Sequence, residues 1–266
     1  MINNTIPIFL KILERDGIGL HDLNKYYDMY PEAFEEYFKK YPEKLKDIRI
    51  ISGILPSIIQ EISEEYRIQF GFNIDLTFHL FVGGFGSNAF VERDIMGDIF
   101  LAAEKLSPER EHLRVIVAHE IGHIYHNFVL QESGMDWTKA QWTDAAVSLY
   151  REGVATYLSQ RIAKGLKKSV YYSYDNDGDD LLYCYEEHKD HIKKHFSQDY
   201  IKGWTDEKEK EWFRLSGGTY FGYNRLGYFL GTSYIEYIVH TFGESEALTF
   251  SSENNLKSSV MEWLQK

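Results

Sequence analysis

The stretch 115–127, VIVAHEIGHIYHN, holds two histidines four residues apart, His119 and His123, with Glu120 directly after the first. On an α-helix, positions i and i+4 share a face about one turn apart, so two imidazoles at this spacing can bind one metal ion. Glu120 stands where a carboxylate reaches a metal-activated water without ligating the metal. The chemistry this suits is hydrolysis. Zinc brings the pKa of its water to about 7, and a carboxylate takes the proton as that water attacks a carbonyl. Leu113, Val115, Ile116, Val117 and Ala118 make the preceding run apolar nearly all round, which predicts a buried helix. Polar groups are costly there unless partnered, and a metal supplies the partner. His126, three residues further on, reads as a helix-end histidine turned toward carbonyls.

A catalytic zinc site adds a third protein ligand to two histidines. The nearest downstream carboxylates are Glu132, Asp136, Asp144 and Glu152. Glu132 and Asp136 fall in a Gly-containing loop, where a ligand is harder to fix. Asp144 stands where a helix should start, so capping accounts for it. Glu152 lies inside AAVSLYREGVATYLSQRIAKG and shares a face with Leu149, Gly153 and Thr156. Gly153 predicts close approach to the first helix. Glu152 is the expected third ligand, with Zn2+ the expected ion.

The elements that must position these residues follow from pattern. Ser107-Pro108-Glu109 is a helix start, with Ser as N-cap and Pro at the first helical position, so the histidine helix is expected from about 108 to 126. Upstream, Ile8, Phe9, Ile12 and Leu13 form an amphipathic turn ended by Gly17 and Gly19. Pro31 opens a helix carrying Ala33, Phe34, Tyr37 and Phe38. Pro42 opens another, running to about Arg67, which Pro56 should kink or split. From Asn73 to Val82 polar and apolar residues alternate, predicting a half-buried strand with His79 on its polar side, and 98–103 predicts a second strand. Gly83 to Asn88 is a loop without the marks of a phosphate cradle.

Downstream, the run from Asp175 to Glu186 has carboxylates at the spacing of half a calcium loop, but Asp180 stands where the sharp turn needs Gly. It reads as a polar loop whose acids cap a helix over 179–196. His188, His191 and His195 occupy a solvated face of that helix. A short charged segment at 204–211 precedes a buried helix from about Asn224, with Gly227 and Gly231 spaced for close packing. The remainder, 243–266, reads as a peripheral loop and short helix.

Composition narrows the class. Of 266 residues, 44% are hydrophobic and 26% charged, which is ordinary for a globular protein. The net charge of −12 argues against nucleic acid as a partner. The single Cys, Cys184, excludes an intrachain disulfide and has no activating base beside it. The first 17 residues lack the pattern of a signal peptide, and no run is long and apolar enough for a membrane span, so a cytoplasmic location is expected. No linker or repeat divides the chain. One domain over 1–266 is expected, with 1–70 a helical scaffold and 72–240 the catalytic core.

The matching pieces HEIGH (119–123), REGVATY (151–157) and NRLGYFLG (224–231) resemble zincin metallopeptidases of the gluzincin type, and more narrowly bacterial families of zinc-dependent proteases. The resemblance implies an α+β fold with a small twisted sheet and a cleft under an edge strand. It also implies a peptide or protein substrate, His119, His123 and Glu152 as metal ligands, and Glu120 as general base. Tyr223, Tyr228 and Tyr234 are candidates for donating to the developing oxyanion, and the tail match picks Tyr228, with Arg225 a partner for substrate or for an acid. One departure stands out: where the thermolysin-like pattern has an Asp four residues after the ligand Glu, this chain has Thr156. A metzincin pattern fails, because it needs Gly at 126 and His at 129. Two competing functions use the same residues: a non-peptidase metal hydrolase, and a binding or regulatory protein that keeps the fold without turnover. Intact His119, Glu120 and His123 count against the second.

Overall fold

The computed structural model describes residues 31–91, 95–250 and 256–266. The expected turn over 8–13 lies outside the described residues, as do the side chains of Ala33, Phe34, Tyr37 and Phe38. The chain is mostly helical with one small sheet, an α+β composition, and forms two compact units, Met1–Val117 and Ala118–Lys266.

In the first unit, α1 (Pro31–Phe70) is one helix running through both Pro42 and Pro56. The sequence predicted a new helix opening at Pro42 and a kink or split at Pro56; neither proline divides the helix. Ile48, Ile51, Leu55, Ile58, Ile62 and Tyr66 recur at helical spacing and are all buried. Continuous packing along that stripe outweighs the roughly 3 kcal/mol an internal proline costs. Gly71, with φ +66°, ends the helix in the left-handed region.

The sheet has order β1-β3-β2, with β1 (Phe78–Phe81) parallel to β3 (Ile99–Ala102) and β2 (Ala89–Val91) antiparallel to it. The alternating run from Asn73 forms a strand only over Phe78–Phe81, and β2 was not foreseen, being three residues long. His79 and Phe90 both sit opposite Phe100 in the register. Their rings stack on it at 4.5 and 5.0 Å, tying the three strands together on one face. His79 is half-exposed and pairs with Asp98 at 2.7 Å. Buried Glu104 accepts from the Gly83 and Phe85 backbone N–H groups at 2.9 and 3.2 Å, so a carboxylate already uses the donors of the glycine loop.

Helix α2 (Arg110–Glu132) contains the division between the units, and its first turn is held to α1 by Arg110 and Arg114, which both pair with Glu61. It starts two residues later than expected and runs six further. Ser107 still accepts from the Glu109 N–H at 3.2 Å.

The second unit is helical: α3 (Ala145–Ile162), α4 (Val170–Ser173), α5 (Asp179–Ile201), α6 (Asp206–Phe213), α7 (Leu226–Phe242), α8 (Glu244–Thr249) and α9 (Leu256–Gln265). Asp144 caps α3 by accepting from the Ala146 N–H, as its position predicted. The acids before α5 do not cap it. Asp179 instead pairs with Lys167 and accepts from Ser169, and Asp175 accepts from the Asp177 N–H within the loop. His188 and His191 are exposed on α5, and His195 is half-buried. Gly153 packs against α7 rather than the histidine helix, because its open side faces Gly231. Gly227 leaves room for the Phe213 ring of α6.

Candidate metal centre

Helices α2 and α3 bring His119, His123 and Glu152 together. The Glu152 Oε2 lies 3.2 Å from His119 Nε2 and 3.6 Å from His123 Nε2. One ligand atom from each residue falls within 4.8 Å of the other two, and among the described residues this is the grouping of His, Cys, Asp and Glu side chains that could hold a metal ion. Metal–ligand bonds of about 2.0–2.2 Å at tetrahedral angles put ligand atoms roughly 3.3–3.6 Å apart; the Glu152–His123 distance of 3.6 Å meets this and the Glu152–His119 distance of 3.2 Å falls just short of it. The helical spacing that sets His119 above His123 is also visible in their rings, 4.8 Å apart and nearly perpendicular.

Protonation favours a cation. Burial raises Glu152, but His123 and His119 outweigh it and hold the carboxyl well below its usual range. Burial lowers His119 despite its bond to Glu152. A neutral imidazole and an ionised carboxylate are the forms in which these groups ligate metal. The Nδ1 atoms of His119 and His123 are buried with no hydrogen-bond partner among the described residues, and so is the Thr156 hydroxyl. Thr156 therefore does not take the place of the orienting acid.

Glu120 is buried beside these ligands and makes no hydrogen bond or ion pair within the described residues. Burial, then the charge of Glu152, pushes its carboxyl well above the usual value. A carboxyl raised in this direction holds a proton more readily, as a general base must once it has taken one.

Two tyrosines face His119. The Tyr228 ring is 5.8 Å from it and nearly parallel, and the Tyr174 ring is 5.7 Å away and edge-on. Arg225, buried at the start of α7, places its guanidinium 5.3 Å from the Tyr174 ring and 5.9 Å from the Tyr228 ring and donates to the Ser173 carbonyl. Tyr174 and Arg225 both have left-handed backbones, with φ 62° and 57°. Such strain in non-glycine residues persists only where the surroundings enforce it, and it clusters at functional sites. Sequence reasoning missed Tyr174, since its approach depends on that turn after α4, which no motif marks. Of the other tyrosine candidates, Tyr234 is buried and bonded to Ser259. Tyr223 makes no ring contact with the histidines among the described residues.

The remaining carboxylates lie elsewhere. Asp136 accepts from the Thr138 N–H and hydroxyl to cap a short turn at Trp137–Lys139, and Glu132 is exposed. His126 is inside α2 rather than at its end, buried against Tyr150, with the Leu248 backbone as its hydrogen-bond partner. No helix among the described residues is long and apolar enough to cross a membrane.

A family model described as "Putative zinc dependent peptidase (DUF5700)" matches residues 67–255, most of the chain, including His119, Glu120, His123, Glu152, Tyr174, Arg225 and Tyr228. No curated protein and no solved structure matches the chain.

Proposed function

Because the chain belongs to this family of zinc-dependent peptidases, we propose that it is a gluzincin-type metallopeptidase with a zincin-like fold, hydrolysing peptide bonds at the α2–α3 centre. The observation that carries the reading is the convergence of two imidazole nitrogens and one carboxylate oxygen from adjacent helices, with an unpartnered carboxyl beside them. His119, His123 and Glu152 hold the zinc, which when bound supplies a Lewis acid that lowers the pKa of water. Glu120 takes the proton as water attacks the scissile carbonyl and passes it to the leaving amine. The Tyr228 hydroxyl donates to the oxygen on which charge develops. Burial pushes that phenol well above its ordinary value, so it is a protonated donor at neutral pH.

The test measures zinc content and the cleavage of a quenched-fluorescent peptide library, with and without chelator. About one zinc per chain is expected, lost in His119→Ala and His123→Ala. Chelator should abolish cleavage, and Glu120→Gln should keep zinc while losing turnover by about 10²–10⁴-fold. Cleavage indifferent to chelator, or full zinc occupancy in the double histidine variant, would end the reading.

A further inference from the structure

The faces of α2 and α3 that carry His126 and Arg151 line a second cavity, of about 670 Å³, closed by the loop over 135–142 and the start of α9. That volume suits a small organic molecule. Much of the wall is apolar: Leu130, Met135, Trp137, Trp142, Val147 and Leu256. The polar groups on it are unusual for what they lack. The Trp137 indole N–H is buried and donates to nothing among the described residues. His126, 1% exposed, has a buried Nε2 with no partner among the described residues. The Leu248 backbone beside the ring favours a proton on it, and a proton on the other ring nitrogen leaves Nε2 with a lone pair. Buried polar atoms left without a partner are rare in folded proteins and ask for an explanation.

Charge around the cavity is unbalanced in one place. Lys139 pairs with Asp136 at 3.2 Å, and Lys257 pairs with Asp144 at 2.7 Å. Arg151 has no carboxylate partner among the described residues. Its guanidinium lies 4.6 Å over the Trp142 ring, which stacks on Trp137, and one arm donates to the Asn127 side chain at 2.9 Å. A guanidinium held over an indole and tied by one arm presents its remaining N–H groups as a fork, the geometry that takes a carboxylate in two parallel bonds.

We infer that this cavity is a binding site for a small amphipathic carboxylate that also carries a hydroxyl or amine donor. The carboxylate meets Arg151 and the Trp137 N–H, the donor meets His126 Nε2, and the apolar body fills the space against Trp142, Leu130 and Leu256. A phosphate fits less well, because one unpaired cation in an apolar wall does not balance a dianion. The site is separate from peptide hydrolysis and does not rest on it, although Arg151 and Glu152 are consecutive on α3.

Calorimetric titration of the full chain tests this, with 3-phenyllactate, its primary amide and 3-phenylpropionate as probes, in zinc-replete and chelated protein. The acid should bind saturably with a Kd on the order of 1 mM or below. The amide, lacking the charge, should bind at least about tenfold more weakly, and phenylpropionate, lacking the hydroxyl, should fall between them. Arg151→Gln and Trp137→Phe should each weaken the acid severalfold or more without changing zinc content, and chelation should leave its binding intact. Trp137→Phe keeps the ring and decides the matter if Arg151→Gln does not fold. Equal binding of acid and amide, no saturation, or affinity unchanged in folded Trp137→Phe would overturn the assignment.

Discussion

Gly153 of α3 and Gly231 of α7 meet backbone to backbone: a Cβ on Gly153 would lie 2.3 Å from the Gly231 carbonyl carbon, and one on Gly231 would lie 2.2 Å from the Leu149 carbonyl oxygen. Neither contact can yield by rotating a side chain. The two helices are therefore held in close contact, with Glu152 one residue before Gly153 on α3. Gly153→Ala should destabilise the fold by about 3 kcal/mol or more, read as a lower denaturation midpoint, and weaken zinc binding. A variant of wild-type stability would show that the helices can part freely.

Glu211 fixes the segment that leads into Arg225 and Tyr228. Its carboxylate accepts from the Gly218, Thr219 and Tyr220 backbone N–H groups and from the Thr219 hydroxyl, at 2.7–3.0 Å. Burial raises this carboxyl, but those donors outweigh it and hold the pKa below the ordinary value. A carboxyl depressed in the folded state adds stability above its unfolded pKa, and that stability is lost as pH falls through the folded one. Glu211→Gln should lower the melting temperature by about 2–4 °C at pH 7. The gap to wild type should close as pH drops below roughly 4. A gap that stays constant with pH would mean the charge contributes nothing.

The candidate metal ligands were legible because helical spacing is local. His119, Glu120 and His123 need only one turn of helix, and Glu152 was picked out by a face shared with glycine and small residues. The small residues themselves announced close packing, but not with which helix, since sequence carries no partner label: Gly153 pairs with Gly231, and the histidine helix is not what its open side meets. Pro42 and Pro56 misled because a local penalty was read without the buried stripe that overrides it. Tyr174 and the cavity around Arg151 were invisible for a related reason. Both depend on turns, one left-handed and one the loop over 133–144, that bring together residues with no common period.

The third ligand separates the proposed centre from its alternatives. Glu152 Oε2 is within 3.6 Å of both imidazole Nε2 atoms, while Asp136 is engaged in capping and Glu132 is exposed. Glu152→Ala should cost more zinc affinity than the roughly 10–100-fold typical of an outer-shell partner. Glu132→Ala and Asp136→Ala should leave competition against a chelating dye unchanged. If Asp136→Ala lost the metal and Glu152→Ala kept it, another carboxylate would close the site and the gluzincin reading would fall.

Tyr228 and Tyr174 compete for the oxyanion. Both rings lie within 6 Å of the His119 ring. Burial is the main cause raising both phenols well above the ordinary value, so both are protonated donors at neutral pH. They differ in exposure and support. Tyr174 is 9% exposed and sits on a left-handed residue at the end of a four-residue helix, whereas Tyr228 is half-buried on the first turn of the 17-residue α7. A donor to a substrate oxygen must reach the open side of the metal and be fixed there before the charge appears. Tyr228 is the more exposed of the two and stands on the longer helix, which favours it on both counts, while Tyr174 packs against His119 and Arg225. Tyr228→Phe should lower kcat by about 10²-fold with zinc content and KM nearly unchanged, the pattern of an interaction made in the transition state. Tyr174→Phe should lower kcat by less than about tenfold. The reverse order, measured on zinc-replete enzyme, would move the oxyanion donor to Tyr174.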